Sequence, residues 1–377
     1  MNWKENIDIE VSLPAIDWEA LTQIAKHVKQ RFSKHDSEIE CKLSAAYKMG
    51  GVHVIRRLDF EDGTRWVARL QRRKADLGSA ERLKQEVHTI EVIRERSKIP
   101  VPEVFWYDAS CNNVVGVPYM LLEFIPADSA MDSFGGHKVH RGRTPPQYKT
   151  KYLDSMATIQ VEMTAIRFPM IGGIVKLSDG TYSVGKLPGI GGPFETAVDF
   201  FCAWARNAKF PYREETIRKR TSGVDVDAII KSIKDFPAQL SNFAKRHSFQ
   251  SGPFPVIHAD LYKSNLLVDS KFCIQGVIDW ESAIVGPWEI VEFIKDLCIV
   301  PSVMDGPLWS EVESDREMLA DRKRYISVVK TQEDAKQLDH KLSQALDDWS
   351  TQNFAHAFWL YEDGRIGFYT DVLNSFS

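Results

Sequence analysis

From position 256 the chain reads Val-Ile-His-Ala-Asp-Leu-Tyr-Lys-Ser-Asn-Leu-Leu-Val, and from position 276 it reads Gly-Val-Ile-Asp-Trp-Glu. Short apolar runs bounded by turn residues are the pattern of buried strands. One such run carries His258 and Asp260 into a loop that also holds Asn265. Leu266, Leu267 and Val268 tie that loop down, and a further run ending at Ile278 delivers Asp279. The segment therefore predicts a strand–loop–strand unit in which a carboxylate, an amide and a second carboxylate converge at the mouth of one small sheet. A His-x-Asp triplet alone also suits a metal-hydrolase fragment or a capping pair. The full pattern fixes three polar residues and their apolar flanks across 24 residues.

Phosphoryl transfer asks for that set. Its transition state needs positioning and charge neutralisation more than covalent chemistry from the protein. Magnesium prefers a few hard oxygen ligands and keeps waters and substrate phosphates for the rest. The Asp279 carboxylate and the amide oxygen of Asn265 meet that demand, and Asp260 is placed to accept or orient the acceptor's proton.

His-Ala-Asp-Leu-Tyr-Lys-Ser-Asn followed by Ile-Asp-Trp-Glu resembles the catalytic and metal-binding loops of the aminoglycoside phosphotransferase family, which is related to choline kinases and, in fold, to protein kinases. The resemblance implies an α+β, two-lobed protein kinase-like fold, with a small N-terminal antiparallel-sheet lobe (1–125) and a larger, mainly helical lobe (126–377). It implies ATP and Mg as cofactors, Asp260 as the catalytic residue, and Asn265 and Asp279 as metal ligands. His258 matches the histidine that shapes the loop, a role more structural than acid–base.

Earlier motifs follow in the family's order. Gly50-Gly51 lies where a turn over the phosphates is expected, between strands over 38–46 and 53–60. Asp62-Gly63 predicts the next hairpin, into a strand over 65–70. Its Trp-Val-Ala-Arg69 resembles the strand whose last residue is usually a lysine reaching the phosphates; here it is arginine, which keeps the charge but not the geometry. A helix over 79–97, capped by Ser79 and stopped by Pro100 and Pro102, carries Glu86 where the family glutamate pairs with that cation. Backbone groups near Glu123 and Ile125 would hold the adenine. An amphipathic helix over 16–32 precedes these elements.

Beyond residue 126, a Gly-, Pro- and base-rich loop over 128–150 is expected, then helices over 151–166, 194–209 and 224–247. A small hairpin is expected over 176–187, and helices again from about Trp288.

Bulk properties narrow the class. A length of 377 residues predicts more than one core, and a net charge of −4 offers no reason to expect a nucleic-acid partner. Five scattered cysteines form no zinc pattern and predict reduced thiols. The charged N-terminus lacks a signal peptide's apolar core, and no apolar run reaches membrane length. A cytoplasmic chain without a membrane partner, monomeric or a simple homodimer, is expected. Its small-molecule substrate carries a hydroxyl: an amino alcohol, an amino sugar or a natural product. Trp204, Trp349, Trp359 and Tyr361 read first as core and second as a cation–π pocket, and Glu362-Asp363 as a solvated turn. The contrasting reading, prompted by Arg69, is a kinase-like chain that has lost or changed phosphoryl transfer. Such a chain would bind a ligand or run another reaction in the same cleft.

Overall fold

The computed structural model describes residues 4–5, 13, 16–32, 39–72, 77–110, 112–222, 225–306 and 313–376. Cys111 and the start of the strand expected at Glu38 lie outside them. By packing, the chain forms two compact units, each discontinuous in sequence. One comprises Met1–Tyr148, Val175–Tyr182 and Lys263–Ser282; the other comprises Lys149–Ile174, Ser183–Tyr262 and Ala283–Ser377. A single division at 125–126 is a division by chain order; the packed units instead return residues 263–282 to the first.

The first unit is built on an antiparallel sheet of β1 (Lys4–Glu5), β2 (Cys41–Met49), β3 (His53–Phe60), β4 (Arg65–Gln71), β5 (Val104–Asp108) and β6 (Tyr119–Glu123). Its strand order is β1-β2-β3-β4-β6-β5. Alternation along the strands separates two faces. Trp66, Ala68 and Leu70 enter the apolar core with Val54, Leu58 and Phe60, while Val67, Arg69, His53 and Ile55 face the other way, into a cleft. The β3–β4 turn forms as its sequence predicts: Asp62 Oδ1 accepts from the Thr64 amide at 2.9 Å, and Gly63 takes a φ of +82°.

The helix Trp18–Phe32 starts where Asp17 Oδ1 accepts from the Ala20 amide at 2.9 Å. It buries Trp18, Leu21, Ala25 and Val28. The helix Leu77–Arg96 begins before Ser79, so Ser79 lies inside the first turn and is not its cap. Leu83 and Val87 of this helix pack on Met120 and Leu122.

Two expectations are corrected. The strands around the His258–Asp279 segment do not share one sheet. Phe254–Ile257 pairs with Arg167–Phe168 and Ile284–Val285 in the second unit. Leu266–Val268 pairs with Ile274–Val277 and Asp128–Ser129 in the first. Adjacency in sequence hides this, because both runs are equally apolar. Residues 128–150 are also more ordered than a loop. They hold the strand Asp128–Ser129, a short helix His137–His140 and the start of the helix Pro146–Thr164, whose Pro at the first helical position has a preset φ.

The second unit is mainly helical, with Ala197–Asn207 and Val226–Ala244 among its principal helices and an additional short one at Glu214–Arg220. After Trp288 the chain runs through 3₁₀ turns to Leu297 before the helices Ser302–Asp305, Glu313–Ala335, Lys341–Asp347, Trp349–Asp363 and Tyr369–Ser375. Trp204 and Tyr361 are core residues, with ring centroids 5.5 Å apart. Trp359 donates to the Ile290 carbonyl at 2.9 Å, whereas Trp349 is exposed. Glu362 and Asp363 are exposed at a helix end closed by Gly364, at φ 79°. The four described cysteines are free thiols, and no helix among the described residues is long and apolar enough to cross a membrane.

Candidate active site

A cleft of about 400 Å³ lies wholly within the first unit, and it is lined by Gly50, Gly51, Arg69, Glu86, Glu123, Ile125, Asn265 and Asp279. These are the eight positions read from sequence as nucleotide- or metal-binding. β4 supplies Arg69, the helix Leu77–Arg96 supplies Glu86, and β6 ends at Glu123. The Glu123 carboxylate accepts from the Glu103 amide at 3.2 Å, which turns the side chain aside.

Arg69 is the electrostatic centre of the cleft. It is buried, so it is not a solvated strand-edge residue. Nη1 donates to Glu86; Nη2 donates to Asp279 Oδ1 at 2.8 Å and to Glu281 Oε2 at 3.2 Å. Burial works against its charge, and the three carboxylates more than offset that, holding Arg69 above its ordinary range. Burial pushes the Glu86 carboxyl up to about 7, with Arg69 opposing and Asp279 and Glu281 adding to the rise. One cation among three carboxylates leaves the most buried carboxylate the easiest to protonate.

The two loops that carry Asn265 and Asp279 are tied together, since the Ile278 amide donates to the Asn265 carbonyl at 2.9 Å. Asn265 closes a 3₁₀ turn and is buried; Asp279 is partly exposed and takes a φ of +67°. A non-glycine residue held there marks a strained position of the kind that clusters at functional sites. Asp279 and Asn265 offer oxygen donors only, the set that magnesium accepts.

His258 and Asp260 belong to the second unit. Between them Ala259 takes a φ of +63°, a second strained position. Asp260 is exposed; His258 is 1% exposed and lines a small pocket with Gln160, Thr164, Glu292 and Lys295.

Neither Gly50 nor Gly51 has a left-handed φ. A Cβ on Gly50 would come no nearer than 3.8 Å to any atom, and one on Gly51 would meet nothing within 4 Å. The turn's own conformation does not require glycine.

Residues 54–290, more than half of the chain, match the sequence model of the phosphotransferase enzyme family. The chain belongs to the phosphotransferase enzyme family. Among solved structures, this family member is similar to a Ralstonia eutropha protein assigned to the aminoglycoside phosphotransferases. The TM-score is 0.51 at 14% identity, over 92% of this chain and 86% of the other. That likeness shows the shared α+β, protein kinase-like fold. An ethanolamine kinase of Plasmodium vivax gives a TM-score of 0.46 at 11% identity, over 96% of this chain and 88% of that one. Among curated proteins, Altered inheritance of mitochondria protein 9, mitochondrial, from Candida tropicalis, is 26% identical over 152 residues. The match spans 39% of the present chain and 24% of that relative.

Two further cleft residues of this family member are assigned no role by its sequence. Glu281 pairs with Arg69, and its Oε2 lies 3.6 Å from His53 Nδ1. Burial, with Arg69 adding to it, pulls the His53 imidazole down to about 3, so it is neutral near pH 7. The available signal was Glu281 two positions after Asp279, on a segment otherwise apolar.

Proposed function

We propose that this phosphotransferase uses ATP with magnesium and transfers the terminal phosphoryl group to the hydroxyl of a small molecule, an amino alcohol, amino sugar or natural product. The observation that carries the proposal is the single cleft that gathers Gly50, Gly51, Arg69, Glu86, Glu123, Ile125, Asn265 and Asp279. Backbone groups at Glu123 and Ile125 hold the adenine, and Arg69, fixed by Glu86, holds phosphate oxygens. Asn265 and Asp279 hold the metal. Bound there, magnesium neutralises the charge on the phosphates. Asp260 accepts or orients the acceptor's proton, and His258 supports the loop from its buried position.

The contrasting reading, a fold that has lost transfer, drew on arginine in place of lysine. The ties from Arg69 to Glu86 and Asp279 speak for the catalytic reading, because the arginine occupies the position the lysine would. Melting temperature with and without millimolar Mg-ATP tests donor binding, since a ligand of the folded state must raise it. No shift would sink the proposal. A screen of hydroxylated metabolites for ADP release, with Asp260→Asn as control, then identifies the acceptor.

A further inference from the structure

Three consecutive carbonyl oxygens of the glycine turn accept hydrogen bonds from one residue. The Arg72 amide donates to the Val52 carbonyl at 2.9 Å. Its Nη1 donates to the Gly50 carbonyl at 3.0 Å and the Gly51 carbonyl at 3.3 Å. Gly50, Gly51 and Val52 line the cleft, and Arg72 does not, so the grip is applied from outside the ligand space. Arg72 follows directly on β4, whose last residue, Gln71, is anchored by its amide to the Pro118 carbonyl at 2.9 Å. The clamp thus joins the glycine turn to one of the unit's paired strands.

The chemistry of the turn explains why such a clamp matters. A peptide carbonyl aimed at a polyphosphate repels it, while an amide aimed at it attracts it. The Gly50 amide donates within the turn, to the His53 carbonyl at 2.9 Å; elsewhere two adjacent glycines, free of left-handed φ and of steric demand, leave the turn able to present either group. Engaging the Gly50 and Gly51 oxygens on the guanidinium, with the Val52 oxygen on the Arg72 amide, removes that freedom and turns the repelling ends away.

We propose that Arg72 is a positioning residue for the phosphate groups of the nucleotide, its guanidinium acting through the carbonyls of Gly50 and Gly51. This rests on the ATP reading of the cleft. Because the clamp acts on the turn alone, it serves the phosphates and not the base or the ribose.

The test is calorimetric titration of the full chain with Mg-ATP and, separately, adenosine. Arg72→Ala should weaken Mg-ATP binding about tenfold, the worth of one lost charge-assisted contact, and leave adenosine binding within about twofold. Arg72→Lys, which keeps a charged donor, should recover most of the loss. In turnover assays the Arg72→Ala defect should appear in KM for ATP, with kcat nearly unchanged. Equal weakening of both ligands, or Mg-ATP binding as tight as in the parent protein, overturns the clamp. Absence of Mg-ATP binding in the parent protein overturns the ATP reading itself, and the clamp with it.

Discussion

Arg69 and Asp279, 210 positions apart in the chain, are joined by a hydrogen bond of 2.8 Å from Nη2 to Oδ1. The other arm of the guanidinium reaches Glu86, so one planar group connects the sheet, a helix and the Asp279 carboxylate. A lysine ammonium is a point charge and has no such fork. Arg69→Ala should destabilise the fold by about 3–5 kcal/mol, since it strands a buried carboxylate. Arg69→Lys should cost less. Urea denaturation measures both, and an alanine variant within about 1 kcal/mol of the parent would show the network to be energetically idle.

Asp279 answers to two partners, Arg69 in the protein and the proposed metal. Asp279→Asn keeps a side chain that tolerates the positive φ while removing the negative charge. We expect the magnesium concentration for half-maximal activity to rise at least about tenfold. An unchanged magnesium dependence would remove Asp279 from the metal site.

Asp260 is exposed and sits next to the strained Ala259. Asp260→Asn should lower turnover by about 10²- to 10⁴-fold, the usual worth of a positioned proton acceptor. Nucleotide affinity should stay close to that of the parent. Turnover that survives the substitution would take Asp260 out of the mechanism.

Because the glycine turn does not need glycine for itself, Gly51→Ala separates folding from binding. Stability should move by no more than about 0.5 kcal/mol, and Mg-ATP affinity should fall several-fold if phosphates approach the turn closely. Unaltered affinity would mean that the ligand keeps its distance there.

His53 makes stability depend on acid. Its imidazole is held at about 3 in the fold, from an ordinary value of 6.5. The unfolded chain therefore binds the extra proton first, and stability falls as pH drops below about 6.5 and continues to fall toward pH 3. Between pH 7 and 5 this one group should cost about 2 kcal/mol. His53→Gln should flatten that slope in urea denaturation at the two pH values; an identical slope would refute the assignment.

Much of this was legible along the chain. β3 runs over the residues that periodicity predicts, because alternation of apolar and polar residues is a local property. The hairpin at Asp62-Gly63 and the ends of several helices were legible for the same reason. The helix Glu214–Arg220 was not: one buried residue, Ile217, gives it no periodic stripe to read. Ser79 looked like a cap by residue type, but a cap is decided by where the first helical turn packs.

By itself the sequence determined eight positions of the cleft, Glu281 and His53 not among them. Each polar residue sits on or beside an apolar run that must be buried, and that places Arg69, Glu86, Asn265 and Asp279 near the protein interior before any partner is known. Tertiary structure alone decided who meets whom. Sheet pairing returned Leu266–Val268 and Ile274–Val277 to the first unit and left Phe254–Ile257 in the second. Side-chain reach then brought Glu281 to Arg69 and Arg72 to the glycine turn. Those choices rest on hydrogen bonds and ion pairs between distant positions, and no local pattern encodes their geometry.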